Sequence, residues 1–337
     1  MDGLDHPFAT PPGVGMLESV APGVSWLRMP LPFRLNHINL WMLEDGDGVT
    51  LVDSGFATEE TKQAWRDLLD GRRVNRIIVT HFHPDHIGTA GWLEQTYSAP
   101  VWMTEREFLW AYFVRNQPLE IESASVTEFQ RRNGLNGKRL EEQSTRQGWY
   151  KTGVPTLPSH FHRVEDGAEI VIGQHVWRVM VTRGHASEQI CLYAEKPGLL
   201  IAADQVLPRI SPNIGVHWPQ PDADPLSLFL TSLDRLAELP ADTLVLPSHG
   251  LPFRGLRQRI HELKSHHEGR LAAILVACQD QDQTAADLLP VIFDRALDIH
   301  DMSFAMAEAV AHTNLLWATG RLTRTAGADG VLRFRSV

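Results

Sequence analysis

Between Val79 and Ala90 the chain reads VTHFHPDHIGTA, which places His81, His83, Asp85 and His86 within six positions, directly after the apolar run Arg76–Val79. Setting four strongly hydrated groups beside a core strand is costly unless a metal or a set of hydrogen bonds satisfies them. Imidazole and carboxylate are ligands for first-row divalent metals, zinc above all, with iron and manganese as alternatives. His81 and His83 occupy alternate positions on an extended loop, so one metal can hold both rings. Asp85 and His86 then face a second metal about 3.5–4 Å away, the spacing of two-metal hydrolases.

Single acids and histidines recur in the same setting, the loop just after an apolar strand. Asp53 follows VTLV, His185 follows WRVMVTRG, Asp204 follows GLLIAA and His249 follows TLVLPS. In a layered α/β fold, strand ends converge on one edge of the sheets, so these side chains can meet. Five imidazoles (His81, His83, His86, His185, His249) and two carboxylates (Asp85, Asp204) are enough for three ligands to each of two metals plus one bridge. Taken singly, several have plainer readings. His185 or His249 alone is a hydrogen-bonded turn residue, Asp53 before Ser-Gly a turn former, and Asp204 a cap.

The elements that must position these residues are legible from periodicity. VSWLRMPL, INLWMLED and GVTLVDSG read as strands, with Asp45–Gly48 as a hairpin turn. Residues 58–71 read as a helix capped by Thr58. VNRIIV is a buried strand entering the histidine loop, TAGWLEQTYS a helix and APVWMT a strand. Glu105 to Ser159 is charged and aromatic, and reads as two or three helices. Strand pairs resume through RVEDGAEIVIGQHVWRVMVTRGH and through EQICLYAEKPGLLIAADQVL, which turns at Lys196–Gly198. A helix over 224–239 and the strand DTLVLPSHG follow. From Leu256 the pattern is helical, including TAADLLPVIFDRAL, and it closes on a hairpin-like tail.

Composition narrows the partners. The chain has 337 residues, a formal net charge of −10, sixteen histidines and two cysteines. An acidic surface disfavours nucleic-acid or anionic-membrane binding, so neither is expected as a partner. Cys191 and Cys278 lie in apolar runs and read as buried thiols, with no disulfide expected. The first residues carry acid, proline and glycine where a signal peptide needs positive charge and an apolar core. No apolar run reaches the ~18 residues of a membrane span, and a cytoplasmic location is expected.

Five ordered motifs carry a resemblance: VDSG with Asp53, THFHPDHIG with His81 to His86, GHASEQ with His185, AADQ with Asp204 and SHG with His249. Over residues 24–255 the sequence resembles the metallo-β-lactamase superfamily. The resemblance implies an α/β fold, a four-layer αββα sandwich with metals at one edge. It implies that His81, His83 and His185 hold one metal and Asp85, His86 and His249 the other, with Asp204 bridging and Asp53 orienting ligands. Arg183-Gly184-His185-Ala186 and Ala203-Asp204 depart from the family's usual Pro-Gly-His-Thr and Gly-Asp without removing a ligand. The full ligand set is similar to glyoxalase II-like and lactonase-like members. The segment 204–216 and the tail resemble the lactamase-like protein 2 branch, which carries a small winged-helix-like C-terminal domain.

The expected organisation is an N-terminal arm (1–23), a metallo-β-lactamase domain (24–255) with a helical insert at about 105–159, and a C-terminal domain (256–337). The expected function is hydrolysis with two divalent metals, in which a bridging hydroxide held by Asp85 attacks an ester, lactone or acyl-thioester carbonyl. The alternatives are a metal-dependent ribonuclease or phosphodiesterase, with β-lactam hydrolysis as a side activity, and a non-catalytic binding protein on the same scaffold. The substrate is expected to be a small molecule with an apolar acyl or ring group. Aromatics of the insert either line a lid over the metals or form a separate small core. Arg209 is a candidate for a substrate carboxylate or phosphate, and His217-Trp218 either reaches the mouth or packs. The tail has few basic residues on its presumed recognition helix, so it reads as a packing or dimerisation module and a homodimer is open.

Overall fold

A computed structural model describes residues 3–144 and 148–337. The first two residues of the expected arm, and residues 145–147 of the expected insert, lie outside the described residues. The elements in chain order are β1 (Glu18–Ala21), β2 (Val24–Pro30), β3 (His37–Asp45), β4 (Gly48–Val52), α1 (Glu59–Leu68), β5 (Arg73–Ile78), α2 (Pro84–Ile87), α3 (Ala90–Tyr97), β6 (Val101–Met103), α4 (Glu105–Asn116), α5 (Leu119–Arg132), α6 (Gly137–Ser144), α7 (Trp149–Gly153), β7 (His162–Arg163), β8 (Glu169–Ile172), β9 (His175–Thr182), β10 (Gln189–Ala194), β11 (Leu199–Ala203), α8 (Pro225–Ala237), β12 (Leu244–Pro247), α9 (Leu256–Ala277), α10 (Leu289–Ile292), α11 (Ile299–Ala318), β13 (Leu322–Ala326) and β14 (Leu332–Ser336).

Strands β1 to β7 form one sheet in sequence order, and a second sheet runs β12-β11-β10-β9-β8. Alternation along the strands assigns their faces. On β2 and β3, Val24, Trp26, Trp41 and Leu43 point into a core shared with Ile170, Trp177, Leu192 and Leu246 of the second sheet. Leu27, Met29, Ile38, Leu40 and Met42 point the other way, onto Trp65 of α1, Leu93 of α3 and Ala111 of α4. The two sheets are thus sandwiched face to face, with helices packed on the outer face of the first, as expected for this α/β class. Strands β4, β5 and β6 run parallel, as do β11 and β12. Their C-terminal ends share the edge where the chemistry sits.

Several local expectations hold in detail. The β3–β4 hairpin closes with Asp45 opposite Gly48. Helix α1 begins at Thr58, whose hydroxyl accepts from the Thr61 amide. The tail ends in the β13–β14 hairpin. Other elements differ. The arm contributes an edge strand, β1, paired with β2. Its Phe8 packs edge-on against Trp26. Among its described residues the insert holds four helices rather than two or three. The helix expected across TAADLLPVIFDRAL shrinks to α10. There Thr284 and Asp287 close a local turn instead, with the Thr284 amide and hydroxyl both donating to the Asp287 carboxylate.

The chain packs as two compact units that are discontinuous in sequence. One comprises the chain up to Asn116, Trp149–Pro212 and Leu236–Arg259; the other comprises Gln117–Gly148, Asn213–Arg235 and Ile260–Val337. The insert is therefore divided, with α4 and α7 in the first unit and α5 and α6 in the second. Within the second unit, Gln143 of α6 donates to the Ile299 carbonyl of α11, and Arg131 of α5 donates to the Asp329 carbonyl. Among the described residues, no helix is long and apolar enough to cross a membrane.

Candidate metal centre

Each expected ligand leaves the C-terminal end of a strand. Asp53 follows β4, the His81–His86 group follows β5 and enters α2, His185 follows β9, Asp204 follows β11 and His249 follows β12. All seven candidate ligands converge, together with Asp53. His81 Nε2 lies 2.9 Å from His83 Nδ1. His185 Nε2 lies 3.3 Å from Asp204 Oδ2, and His86 Nε2 lies 3.6 Å from the same oxygen. The other Asp204 oxygen, Oδ1, faces His249 Nε2 at 3.5 Å. Asp85 Oδ2 is 3.6 Å from His86 Nε2 and 3.5 Å from His249 Nε2. Three ligand groups result: His81/His83/His185, Asp85/His86/His249, and His81/His86/Asp204, each with donor atoms within 4.8 Å of one another.

The residues fit divalent cations by two observations. First, His86 Nε2 and Asp204 Oδ1 are buried without a hydrogen-bond partner. Leaving such atoms unsatisfied costs about 1–3 kcal/mol each, a cost that a cation between them removes. Second, the charges suit a cation. Burial by itself works against ionised Asp204 and Asp85, yet His249 and His86 hold Asp204 well below its ordinary range and bring Asp85 to about 2. Burial likewise opposes a charged His249, but the facing carboxylates raise it to about 10. Protons on imidazoles answer the carboxylates here, and divalent cations answer the same charge. His81 and His83 are held well below their ordinary range, by burial first and then by neighbouring imidazoles, so both are neutral and able to ligate.

A second histidine–carboxylate cluster sharpens the contrast. His267, Glu308 and His312 of the second unit also bring their donor atoms within 4.8 Å. There, however, Arg270 pairs with Glu308, His267 Nδ1 meets His312 Nε2 at 3.2 Å, and His312 Nδ1 donates to the Glu308 carbonyl at 2.8 Å. That group satisfies itself.

Outer contacts orient the rings of the candidate ligands. Asp53 Oδ1 accepts from the Thr80 amide at 2.7 Å, and Oδ2 accepts from the Thr80 hydroxyl and from His86 Nδ1, each at 2.8 Å. The Thr80 hydroxyl, having given its proton to Asp53, accepts from His81 Nδ1 at 3.0 Å. Both histidines therefore spend Nδ1 on outer contacts and turn Nε2 toward the centre as the atom able to bind a cation. His249 Nδ1 donates to the His37 carbonyl at 2.8 Å, and His37 Nε2 accepts from the Gly250 amide. Asn39 Nδ2 donates to the Pro247 and Gly250 carbonyls, and Arg28 also donates to Gly250. These contacts shape the loop that carries His249. Thr80, His37, Asn39 and Arg28 have no signal in the sequence pattern; only the position of Thr80 next to His81 hints at a role.

The backbone is shaped for the site as well. Asp53 has φ 62° and Ala203, just before Asp204, has φ 45°. These are left-handed conformations that ordinary residues avoid, and such strain concentrates at functional positions. Gly88, at the end of α2, admits no side chain. A Cβ there would stand 2.3 Å from the Pro84 carbonyl oxygen, 2.6 Å from that of Gly55 and 2.7 Å from that of Gly153.

Aromatic residues flank the histidine loop. Phe82 contacts the His83 ring and stacks on Trp110, and Phe33 packs edge-on against Phe56 and Trp149. Of the other expected contacts, Arg209 is exposed in the first unit, and His217 is exposed in the second.

Comparison with known proteins identifies the family. Residues 34–249 match the family described as "Metallo-beta-lactamase superfamily", and residues 271–337 match "Metallo-beta-lactamase-like, C-terminal domain". A beta-lactamase domain protein from Burkholderia ambifaria is 42% identical with a TM-score of 0.93, over 99% of this chain and 98% of that one. A metallo-beta-lactamase family protein from Thermus thermophilus is 32% identical with a TM-score of 0.78, over 95% and 100%. "Probable metallo-hydrolase YqjP" of Bacillus subtilis is 25% identical over 313 residues, 88% of this chain and 93% of its own length. The scaffold, the ordered ligands and the extent of these likenesses lead to one conclusion: this chain belongs to the metallo-beta-lactamase superfamily and is a metallo-hydrolase.

Proposed function

We propose that the protein is a dinuclear hydrolase of small esters, lactones or acyl thioesters. His81, His83 and His185 would hold one divalent cation and Asp85, His86 and His249 a second, with Asp204 shared. The observation that supports this most is the placement of Asp204, with one oxygen toward His185 and His86 and the other toward His249. Zinc suits the all-imidazole-and-carboxylate set; iron and manganese accept it too. When bound, such a pair supplies water ionised near neutral pH and polarises the oxygen of a scissile carbonyl.

The chain's own residues do the rest. Asp85 is 19% exposed at its side chain whereas His86 is fully buried, so Asp85 is the carboxylate that entering water meets. Its oxygen accepts the water's hydrogen bond and orients that water toward the scissile carbonyl. Asp53 and Thr80 keep His86 and His81 from rotating or changing tautomer during the reaction. Phe82, Trp110 and Phe33, each half-buried, and exposed Trp149 offer apolar surface for an acyl chain or ring, which favours a carbonyl substrate with an apolar group over a polyanion.

The test is hydrolysis by purified protein of p-nitrophenyl esters, an acyl-CoA, a homoserine lactone, nitrocefin and single-stranded RNA, with bound metal counted in parallel. The proposal expects a carbonyl substrate to be cleaved, activity to vanish on chelation, and zinc, manganese or iron to restore it. Full activity of metal-stripped protein, or turnover of RNA alone, would overturn it.

A further inference from the structure

We propose that Glu107 is a positioning residue for the metal centre, setting the spacing between the loop that carries His81 and His83 and the loop that carries His185. The inference rests on the ligand assignment above. Glu107 lies in the first turn of α4 and is fully buried, although carboxylates are rarely so. Its two oxygens are divided between the two loops. Oε2 accepts from the amide of Phe82, the residue between His81 and His83, at 3.1 Å, and Oε1 accepts from the amide of Glu188, three residues beyond His185, at 2.7 Å. One rigid, planar group thus spans two loops that are far apart along the chain.

Two neighbours complete the brace. Tyr150 of α7 donates its hydroxyl to the Phe82 carbonyl at 2.7 Å, so the residue between the two histidines is held at both its amide and its carbonyl. Trp110, one turn along α4 from Glu107, donates its indole N–H to the Ser187 hydroxyl at 2.7 Å. The brace therefore assigns α4 and α7, the parts of the insert within the first unit, to holding the ligand loops. Ligand loops fixed in advance lose less freedom on binding a cation.

Substitution separates the contributions. In Glu107→Gln one oxygen still accepts an amide proton, but the new NH₂ faces the other amide N–H, so one loop is released. Glu107→Asp is too short to reach both loops. Apoprotein of each variant is titrated with Zn²⁺ and with Co²⁺, reading affinity, stoichiometry and the Co²⁺ absorption spectrum, alongside the melting temperature of the cation-free state. The expected result is a cation at His81, His83 and His185 bound roughly 10- to 100-fold more weakly with an altered spectrum, while the Asp85/His86/His249 cation changes less. Tyr150→Phe and Trp110→Phe, each releasing one loop contact, are expected to give smaller losses and keep the test available if Glu107→Gln does not fold. Wild-type protein binding two cations, with the variants binding them identically, would overturn the positioning role alone. Wild-type protein binding none would remove the ligand assignment, and this inference with it.

Discussion

Replacing Asp53 by Asn tests the outer contacts with little change in shape. Asn tolerates the left-handed backbone at this position, φ 62°, as readily as Asp does, so strain does not confound the result. The amide oxygen can still accept from the Thr80 amide, as Asp53 Oδ1 does at 2.7 Å. The amide nitrogen then faces the Thr80 hydroxyl and His86 Nδ1, where Oδ2 accepted both protons at 2.8 Å. A donor in that place forces His86 Nδ1 to accept and moves its proton to Nε2, the buried atom needed for a cation. Losing a charge-assisted hydrogen bond of about 1.5–3 kcal/mol corresponds to roughly 10- to 150-fold weaker binding of the cation at His86. The His81/His83/His185 position should lose less, because Thr80 still contacts His81. Calorimetric titration of apoprotein, with a competing chelator to reach tight affinities, resolves the two. An Asp53→Asn protein that binds both cations like wild type would show that Asp53 does not hold the His86 tautomer.

Other perturbations follow from the same structure. Gly88→Ala forces a methyl group against three carbonyl oxygens and should cost about 1–3 kcal/mol in denaturant unfolding, with loss of cation binding as α2 shifts. Trp65, fully buried in the helix-side core with its indole N–H on the Ser54 carbonyl, should cost about 3–5 kcal/mol when replaced by Ala, read from the same unfolding curves. His312 is brought down to about 4, chiefly by burial. A depressed folded value means its stabilisation is complete above pH 6.5 and is lost as pH falls through about 4. Between pH 7.5 and 5, the stability of wild type relative to His312→Gln should fall by up to about 2 kcal/mol. Neighbouring Glu308, raised by burial to about 7, works in the opposite direction, so the difference between the two proteins is the informative quantity. An unchanged difference would count against a buried neutral imidazole.

The candidate ligands are legible because they combine two signals, a metal-binding residue type and a place just after an apolar strand. His81, His86 and Asp204 each carry both. Of the residues that orient them, Asp53 shares both signals, and the others do not combine them. Glu107 reads as an ordinary acid in the first turn of a charged helix, and its partner Glu188 is 81 positions away. His37 acts through its backbone carbonyl on His249, 212 positions away, and through its ring on the Gly250 amide. Asp53 read alone suggests a turn former; only the fold shows the strained backbone that turns its carboxylate onto His86. Strand pairs are recoverable because alternation marks both faces of a sheet, as Trp26 and Leu27 do. Strand β1 is hidden by the proline-rich composition around it. The division of the insert is invisible for a different reason: α5 and α6 pack with residues near the C-terminus, and local periodicity carries no information about partners so distant in sequence.

A two-cation centre sharing Asp204 is tested by anomalous diffraction from crystals of zinc-loaded protein. Two peaks are expected, one beside His81, His83 and His185 and one beside Asp85, His86 and His249, with Asp204 reaching both. A single peak, or peaks away from these side chains, would contradict it.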